Sequence, residues 1–398
     1  MVFYFGGDDA LRLLRLETFG AGVELPAAEK EARNGLVRLG YEKPWVTDHL
    51  GIMAEFELQG HGQDRLVGAE RPAPQPYYAF HHDTQKWESQ AAATADQQGI
   101  NDAQRPEITN LALFSWNIDF NLPFAKARMD AALETLRDLT SLESTTAVVI
   151  FLQECVKSDL ETIAEKDWVR DRFYLTDLPT SAARNWRGSS YGTTTLVDRR
   201  MPLVSLFRVH YEQARMHRDA LFSDVLVLPG KGGEGLRIRL CNTHLESLIR
   251  TPPFRPAQMD LVARYLKDKQ VGAGIAAGDF NAIQAFDRTL HAVNRLRDAY
   301  LDMGGQEDTE EGYTWGQQAR THARRRYGYS RMDKVYYCTS SDSDSNDVLR
   351  LLRFERFGAG VELSATYEEE RRQLVEEMGF ERPWVTDHLG VMAEFELT

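Results

Sequence analysis

The chain has 398 residues, of which 42% are hydrophobic, and a formal net charge of -13. This hydrophobic content is enough for one large core and a remainder, so we expect one main domain. The negative charge argues against a protein that coats nucleic acid, because such coating depends on many lysines and arginines that neutralise phosphates. An enzyme that holds a few phosphates beside metal ions is not excluded.

Cysteine spacing and hydropathy indicate the compartment. Cys155, Cys241 and Cys338 lie far apart and match neither a disulfide framework nor a zinc site. No apolar run reaches the roughly 18 residues that span a bilayer, and the first residues lack the pattern of a secretion signal. We therefore expect a soluble, intracellular protein that does not act at a membrane.

An internal repeat occupies the two ends of the chain. Residues 11–25 recur as residues 349–363, and residues 44–58 recur as residues 383–397, with the spacing between the blocks differing by one residue. Residues 1–58 are therefore interpreted as a partial duplicate of the C-terminal part of the main domain.

The duplicate is a fragment of two or three strands and a helix. It lacks the partner sheet on which such strands pack, so it cannot form an active site of its own. Three explanations remain open: a truncated tandem duplication, a fusion of two neighbouring gene copies, or a duplicated segment that packs on the main domain.

Residues 59–107 have a different composition, rich in glutamine, alanine, proline, histidine and glycine, with little periodicity. Such a segment buries too little apolar surface to offset the entropy of ordering, so a flexible linker is predicted. From residue 108 to residue 398, short apolar strands alternate with helices and loops. Many strands with few, unevenly placed helices favour an α/β (α+β) fold of two packed β-sheets flanked by helices.

Five of the apolar strands are followed by acidic, amide or imidazole side chains. These are Asn117 and Asp119, Glu154, His244 and Glu246, Asp279 and Asn281, and Asp387 and His388. Apolar strand bodies place their polar ends on a common rim, where separate segments converge on one cleft.

Glu154 follows a run of apolar residues, where a buried carboxylate needs a partner. Mg²⁺ is the natural partner, with Mn²⁺ as a substitute, because hard cations take carboxylate oxygens and water. The alternative is a buried ion pair with an arginine such as Arg128 or Arg331.

Asp279 and Asn281 end another apolar run, and strand alternation predicts that they point the same way. A carboxylate and an amide in this arrangement position a water nucleophile and contact a phosphoryl oxygen. An ordinary Asx turn is the alternative.

The imidazole of His388 is suited to contact phosphoryl oxygens if a carboxylate holds its ring and favours its charged form. Asp333, at the start of a preceding strand, is the best candidate for that carboxylate. A basic cluster also precedes this strand, and it is either a phosphate-contacting loop or a solvated surface. The cluster comprises Arg320, His322, Arg324, Arg325, Arg326 and Arg331.

The ordered motifs SWNID, LQE, NTHLES, GDFN, YTW, RMD and TDHLG resemble those of the endonuclease/exonuclease/phosphatase superfamily, also called DNase I-like. The resemblance covers nearly all of residues 108–398, and WNID together with THLES favours the tyrosyl-DNA phosphodiesterase branch. It implies a four-layer sandwich, and Mg²⁺-dependent hydrolysis of the phosphodiester between a 5′ DNA end and a tyrosine of a stalled topoisomerase.

The resemblance also implies roles for single residues. Glu154 resembles the principal metal ligand, Asn117 the amide that supports metal and phosphate, and Asp387 a group that assists the metal site. Asp279 is similar to the residue that activates water, and Asn281 to the residue that holds the phosphate beside it.

His388 resembles the group that stabilises the transition state, oriented by Asp333, and His244 and Ser247 are similar to phosphate contacts. Three further residues resemble the lining of a narrow groove for DNA and the phosphotyrosyl group; they are Tyr191, Arg218 and Trp315. Of these, the indole of the tryptophan and the guanidinium are expected to form a cation–π wall.

The predicted partner is thus DNA with a 5′-linked tyrosyl peptide. The protein is expected to be monomeric and nuclear, and no protein partner is inferred. Two other functions remain open. One is another phosphodiesterase on the same scaffold, of the abasic-endonuclease, sphingomyelinase or inositol-phosphatase type, although membrane-acting relatives need an apolar insertion loop that the sequence lacks. The other is a catalytically silent binding module, against which the complete polar set argues.

Overall fold

A computed structural model of the chain describes residues 11–19, 51–58, 70–91, 107–227, 235–339 and 348–397. The chain divides into two compact units, residues 1–69 and residues 70–398. Each unit is described by itself below.

Seventeen strands lie within the described ranges. In chain order they are β1 (Leu11–Phe19), β2 (Gly51–Leu58), β3 (Ala73–Pro74), β4 (Tyr77–His81), β5 (Lys86–Gln90), β6 (Asn110–Asn117), β7 (Thr146–Val156), β8 (Phe173–Leu175), β9 (Tyr191–Asp198), β10 (Leu203–His210), β11 (Asp219–Val227), β12 (Leu236–His244), β13 (Ala273–Asp279), β14 (Arg297–Asp298), β15 (Asp333–Thr339), β16 (Leu349–Phe357) and β17 (Gly390–Leu397).

The helices of the described ranges all belong to the second unit. They are α1 (Ala125–Leu139), α2 (Lys157–Glu165), α3 (Asp167–Arg172), α4 (Pro179–Asn185), α5 (Arg255–Leu266), α6 (Leu290–Val293), α7 (Ala299–Asp302), α8 (Thr321–Tyr327) and α9 (Glu368–Glu376), with a 3₁₀ helix at Ala285–Thr289. Among them, none combines the length and the apolar character that a membrane crossing requires.

In the first unit, β1 and β2 form an antiparallel two-stranded sheet. Leu11 lies opposite Leu58, and the pairing shifts by a bulge between Leu13 and Arg15. The other parts of the predicted duplicate lie outside the described residues.

The second unit contains two larger sheets. The seven-stranded sheet has the order β14-β15-β13-β12-β11-β10-β3, and the eight-stranded sheet has the order β16-β17-β6-β7-β9-β8-β4-β5. Each sheet holds one parallel pair, β6 with β7 and β12 with β13, among antiparallel neighbours. The predicted fold of two packed sheets flanked by helices is confirmed.

The main core lies between the two sheets, where side chains such as Leu113, Phe151, Leu240, Ile275 and Phe395 are fully buried. A second cluster packs α1 and α2 on the outer face of the eight-stranded sheet, and a third packs α5 on the other sheet. The central strands are thus buried on both faces, which explains their continuous apolar runs.

A buried polar network crosses the core just below the ends of the parallel strands. Gln153 donates from Nε2 to Asn242 Oδ1 over 2.9 Å and to Ser115 Oγ over 3.1 Å. Asn242 in turn donates from Nδ2 to the carbonyl oxygens of Leu152 and Thr194. Because these bonds join residues of both sheets, they fix the separation of the strand ends that follow.

The prediction of a flexible linker is wrong for residues 70–91. Strand β3 pairs with β10 at the edge of one sheet, and the β4–β5 hairpin pairs with β8 in the other. The physical reason is a short aromatic run within the polar stretch, since Tyr77, Tyr78 and Phe80 are all buried. The rest of the predicted linker, residues 59–69 and 92–106, lies outside the described residues.

Candidate active site

The parallel strand pairs deliver polar groups to one rim of the sandwich. Asn117, His244 and Asp279 are the last residues of β6, β12 and β13. Asp333 is the first residue of β15, which runs antiparallel to β13 and lies opposite Asp279. Strands of both sheets therefore contribute to the same cleft.

Glu154 reaches the rim from within a strand, not from its end. The pairing of β7 with β9 shifts between Leu152 and Cys155, and Glu154 has a φ of 59°. A bulge of this kind redirects a side chain, and a positive φ outside glycine costs about 1–3 kcal/mol. The backbone N–H of Phe120 donates to Glu154 Oε2 over 3.0 Å and holds the carboxylate in place.

Gly278 allows β13 to approach β12 closely. It has a φ of +149°, and a Cβ at this position would lie 1.8 Å from the carbonyl oxygen of Thr243. A glycine is therefore required here, and it sets the next residue, Asp279, beside His244.

Asp279 is the hub of the site. Its Oδ2 accepts a hydrogen bond from Asn117 Nδ2 over 2.9 Å and lies 3.2 Å from His244 Nε2 and 3.8 Å from His388 Nε2. Burial raises the pKa of Asp279, but the two histidines outweigh burial and hold this pKa below its usual value. The carboxylate is therefore ionised at neutral pH.

The contacts of His244 identify its protonation state. Arg218 Nη1 lies 2.6 Å from His244 Nδ1. A guanidinium can only donate, so Nδ1 accepts and the ring proton is on Nε2, which faces Asp279 and lies 3.7 Å from Glu154 Oε1. Burial and then Arg218 lower the pKa of His244, so the ring is neutral.

His388, in contrast to His244, is protonated and positively charged. Its Nδ1 lies 2.8 Å from Asp333 Oδ2, and its Nε2 lies 3.8 Å from both Asp279 Oδ2 and Asp387 Oδ1. Burial disfavours the charged ring, but Asp333 and Asp279 outweigh burial and raise the pKa of His388 well above its usual value. Burial also raises the pKa of Asp333 to about 6. At neutral pH the pair is a carboxylate and an imidazolium.

Trp315 and Trp116 hold the segment that carries His388. The indole N–H of Trp315 donates to Asp387 Oδ2 over 2.7 Å, and its backbone forms bridges with His388 and Ser330. The indole N–H of Trp116 donates to the carbonyl oxygen of His388 over 3.1 Å. Both tryptophans thus fix the position of the imidazolium.

Arg218 and Tyr191 pack together beside His244. The guanidinium lies 5.3 Å from the centroid of the Tyr191 ring, which stacks on Phe120 at 3.7 Å. The expectation that Arg218 forms a cation–π pair with Trp315 is therefore wrong, because the ring beside Arg218 is that of Tyr191. His244 anchors the arginine, while Asp387 anchors the tryptophan.

Asn281 and Ser247 follow the strand ends. Because β13 ends at Asp279 and Asn281 has a φ of 47°, strand alternation does not orient Asn281 as expected. Its backbone N–H donates to Asp279 Oδ1 in an Asx turn, and its amide donates to the carbonyl oxygen of Leu245. Ser247 is half-buried and, within the described ranges, forms no hydrogen bond with the other site residues.

A buried arginine does pair with Glu154, since Arg218 Nη2 lies 3.8 Å from Glu154 Oε1. The two arginines named as candidates, Arg128 and Arg331, do not have that role. Arg331 pairs with Asp298 and Glu307 inside the domain. Arg128 is fully buried and donates to five backbone carbonyls, those of Ile118, Asp119, Leu122, Pro123 and Val385. It holds the loop after β6 against the segment before His388. The sequence offered one signal for this role of Arg128, an arginine on the apolar face of a predicted helix.

The carboxylates of the site fit a divalent cation. Burial raises the pKa of Asp387 and outweighs the opposing effects of His388 and Trp315, while the nearby charges of Glu154 and Asp279 add to the rise. Burial and Asp387 likewise raise the pKa of Asp119 to about 6. Crowded oxygen donors that repel each other are the ligand chemistry that hard cations stabilise. Glu154 and Asp387 would hold such an ion, and Asn117 would support it.

A different group, Asp279, Asp333 and His388, offers ligand atoms that lie within 4.8 Å of one another. We do not assign a metal to this group. A protonated imidazole has no free lone pair, and its Nδ1 is already bonded to Asp333. Within this group His388 is hydrogen-bonded to Asp333, while His388 Nε2 lies 3.8 Å from Asp279 Oδ2, beyond hydrogen-bond distance.

The Endonuclease/Exonuclease/phosphatase family model matches residues 114–388. A 5′-tyrosyl-DNA phosphodiesterase of Caenorhabditis elegans is 24% identical over 233 residues, which cover 57% of this chain and 57% of that protein. The chain thus spans little more than half the length of that curated relative.

Solved structures share the fold at low sequence identity. The crystal structure of truncated Caenorhabditis elegans TDP2 has a TM-score of 0.50 and 20% identity, and covers 72% of this chain and 97% of that one. The crystal structure of D. rerio TDP2 complexed with single strand DNA product has a TM-score of 0.50 and 17% identity, and covers 72% of this chain and 99% of that one.

Proposed function

Because the chain belongs to the endonuclease/exonuclease/phosphatase family, we propose that it is a Mg²⁺-dependent phosphodiesterase that hydrolyses 5′-phosphotyrosyl bonds of DNA. One observation carries the proposal: Asn117, His244 and His388, from separate segments of both sheets, converge on the carboxylate of Asp279. The similarity to a 5′-tyrosyl-DNA phosphodiesterase supports the choice of substrate. Topoisomerase adducts form on chromosomal DNA, so we propose that the protein acts in the nucleus.

The reaction is an in-line attack of water on the phosphodiester. Asp279 is ionised, so it accepts a hydrogen bond from the water and orients it toward phosphorus. It takes the water's proton as the new P–O bond forms and the P–O bond to the tyrosine breaks. The imidazolium of His388 donates from Nε2 to a nonbridging oxygen, where negative charge grows in the transition state. Asp333 keeps this ring protonated and oriented.

The neutral ring of His244 also contacts Asp279. Its Nε2–H faces Asp279, so it keeps that carboxylate in position without adding a second positive charge. Glu154 and Asp387 would hold a Mg²⁺ ion, and that ion would supply Lewis-acid neutralisation of phosphoryl charge. The tyrosine leaves as a phenolate, whose conjugate acid has a pKa of about 10, and therefore needs little protonation from the enzyme.

The test compares three substrates with and without Mg²⁺: a 5′-phosphotyrosyl oligonucleotide, abasic DNA and sphingomyelin. We expect turnover of the phosphotyrosyl substrate alone, and only with the metal. Preferred turnover of either other substrate would move the protein to another branch of the family. Failure of all three with Mg²⁺ or Mn²⁺ would favour a binding module.

Variants connect the activity to the site. Glu154→Gln and Asp279→Asn are expected to lower kcat by about a hundredfold or more with unchanged far-ultraviolet circular dichroism. Asp260→Asn is the matched control, because Asp260 is an exposed carboxylate on α5. If Asp260→Asn reduced turnover as much, the assigned site would be wrong.

A further inference from the structure

A cavity of about 340 Å³ lies far from the candidate active site. It is lined by the loop between α1 and β7, the end of α3 and the turn after β9, and three arginines contribute to it: Arg172, Arg199 and Arg200. We term it the arginine cavity. Thr146, the first residue of β7, belongs to its lining, whereas Glu154 lies eight residues further along the same strand, about 26 Å away at the rise of an extended strand. The volume falls within the range of small-molecule sites.

One of the three arginines already has a carboxylate partner. Arg200 donates to both carboxylate oxygens of Asp198, which is buried. The guanidinium of Arg200 also donates to the carbonyl oxygens of Ser144 and Thr146. This ion pair holds the turn after β9 against the loop before β7, and its charges balance.

The other two arginines, Arg172 and Arg199, donate only to neutral groups. Arg172 donates to the carbonyl oxygen of Thr140 over 2.9 Å, and Arg199 donates to the carbonyl oxygens of Phe80 and Arg170. Both arginines are half-buried. Among the residues that the structure describes, neither guanidinium has a carboxylate within ion-pair distance. The cavity therefore contains two positive charges that lack a direct counter-charge.

The charge of Arg172 is poorly compensated by its surroundings. Burial lowers the pKa of Arg172, Asp198 offsets only part of this effect, and the neighbouring charge of Arg200 adds to it. A partly buried cation of this kind is stabilised when an anion joins it. An anionic ligand would thus supply what the protein leaves out.

Two further carboxylates line the cavity, those of Glu143 and Asp171. Both residues are exposed, and Asp171 Oδ1 lies 3.1 Å from His82 Nε2. Water and salt screen exposed charges, so these carboxylates oppose an anion less strongly than the half-buried guanidiniums attract it.

The lining favours a phosphate group over a carboxylate as the ligand. The hydroxyl-bearing residues Thr140, Ser141, Ser144 and Thr146 accompany the arginines. A phosphate monoester carries close to two negative charges and three acceptor oxygens, which match two guanidiniums and several hydroxyl donors. A carboxylate has one charge and would leave one guanidinium without a counter-charge.

We propose that the arginine cavity binds a small phosphate-bearing anion, with Arg172 and Arg199 as its counter-charges. The ligand is either inorganic phosphate or a small phosphate monoester, since both present the same group to the cavity. Because the cavity and the candidate active site lie at opposite ends of β7, this anion does not compete with the substrate. No residue of the cavity belongs to the active site, so the inference is independent of the proposed function.

The experiment is isothermal titration calorimetry on the full chain, in the presence of EDTA so that no divalent cation remains. The ligands are inorganic phosphate, thymidine 5′-monophosphate and thymidine. We expect phosphate to bind one site per chain with a Kd of about 1 mM or lower, and thymidine not to bind. Tighter binding of the nucleotide than of phosphate would identify a monoester as the preferred source, and equal binding would identify the phosphate group alone.

Variants locate the binding. R172Q/R199Q should raise the Kd for phosphate about tenfold or more, because each guanidinium contributes a charge-assisted hydrogen bond. S144D adds a carboxylate at an exposed position of the lining and should raise this Kd about fivefold. S364D makes the same change at an exposed serine outside the cavity and should leave the Kd unchanged. H388Q, which alters the candidate active site, should also leave it unchanged.

Four results would overturn the inference. They are no binding to the wild type at phosphate concentrations up to about 10 mM, an unchanged Kd in S144D, loss of binding in H388Q, or equal binding of thymidine and its monophosphate. If R172Q/R199Q does not fold, S144D still decides the question, because it alters only an exposed side chain. Loss in H388Q alone would assign the phosphate to the active site.

Discussion

The two copies of the repeated sequence adopt the same local structure in different surroundings. Leu11 pairs with Leu58 in the first copy and Leu349 with Leu397 in the second. Both hairpins also shift register at the same place, and the second copy has its bulge between Leu351 and Arg353. Strand pairing and bulge are therefore properties of the local sequence.

The difference lies in the neighbouring strands. Strand β17 also pairs with β6, which carries Trp116 and Asn117 to the active site, whereas β2 pairs with β1 in a sheet of two strands. The repeated segment contains counterparts of Asp387 and His388 but none of Asp279 or Asp333. The comparison teaches that a terminal Asp-His pair gains its chemistry from residues that other strands supply.

The same substitution in the two copies should have very different effects. His388→Gln removes an imidazolium that lies 3.8 Å from Asp279, so kcat should fall by about 100- to 1000-fold. His49→Gln alters the corresponding residue of the first copy, which lies outside the described residues, and should leave kcat unchanged. Steady-state kinetics on the phosphotyrosyl substrate measure both, and equal losses would refute the comparison.

Asp333→Asn removes the carboxylate of Asp333, for which the first copy has no counterpart. The variant loses the carboxylate that lies 2.8 Å from His388, so activity should fall about 10- to 100-fold. In the wild type the pKa of His388 is raised, and the imidazolium is present until the pH exceeds that pKa. In the variant this pKa is lower, so activity should be lost at a lower pH as the pH rises.

Profiles of kcat/KM between acid and alkaline pH measure this shift for the wild type and Asp333→Asn. An unchanged alkaline limb in the variant would show that the limb belongs to another group. Asp333→Glu is a suitable companion, because it retains the charge and should preserve the pH profile while it misplaces the ring.

Glycine substitutions compare the packing of the two copies. Gly358 has a φ of +78°, and a Cβ there would lie 2.6 Å from Trp116 Cζ2. Gly358→Ala should therefore cost about 2–4 kcal/mol of unfolding free energy, through backbone strain and overpacking. Gly20→Ala, at the corresponding position of the first copy, should leave the main urea transition unchanged, and an equal shift of both midpoints would contradict this.

The smallest effect is expected from removal of residues 1–69. These residues form a separate compact unit, so kcat/KM should be unchanged and the main unfolding transition should shift by less than about 0.5 kcal/mol. A larger destabilisation would favour the explanation in which the duplicated segment packs on the main domain.

Much of the fold can be predicted from the sequence, because runs of apolar residues indicate buried strands directly. The runs that end at Asn117, His244 and Asp279 predicted three strand ends, and the structure places all three at the same rim. Asp333 was selected from the sequence as the partner of His388, and the two side chains lie in contact. The roles of these residues stay predictions until the variants are measured.

Other features depend on neighbours that no local pattern reveals. The bulge at Glu154 arises from its pairing with β9, and the tautomer of His244 from a guanidinium 26 positions away. The cation–π prediction paired Arg218 with the wrong ring, because residue type alone does not say which aromatic ring lies next to a given arginine. The polar composition of residues 59–107 also gave no indication of the strands within residues 70–91.

Those strands have a practical consequence for where the catalytic unit begins. The segment covers an edge of each sheet, and Gln75 further joins them by donating to Thr176 and accepting from Arg208. A chain shortened to begin at residue 108 would keep every catalytic group yet leave β8 and β10 with unpaired backbone. Such a shortened chain would then self-associate through these unpaired strand edges, although its catalytic groups would be intact.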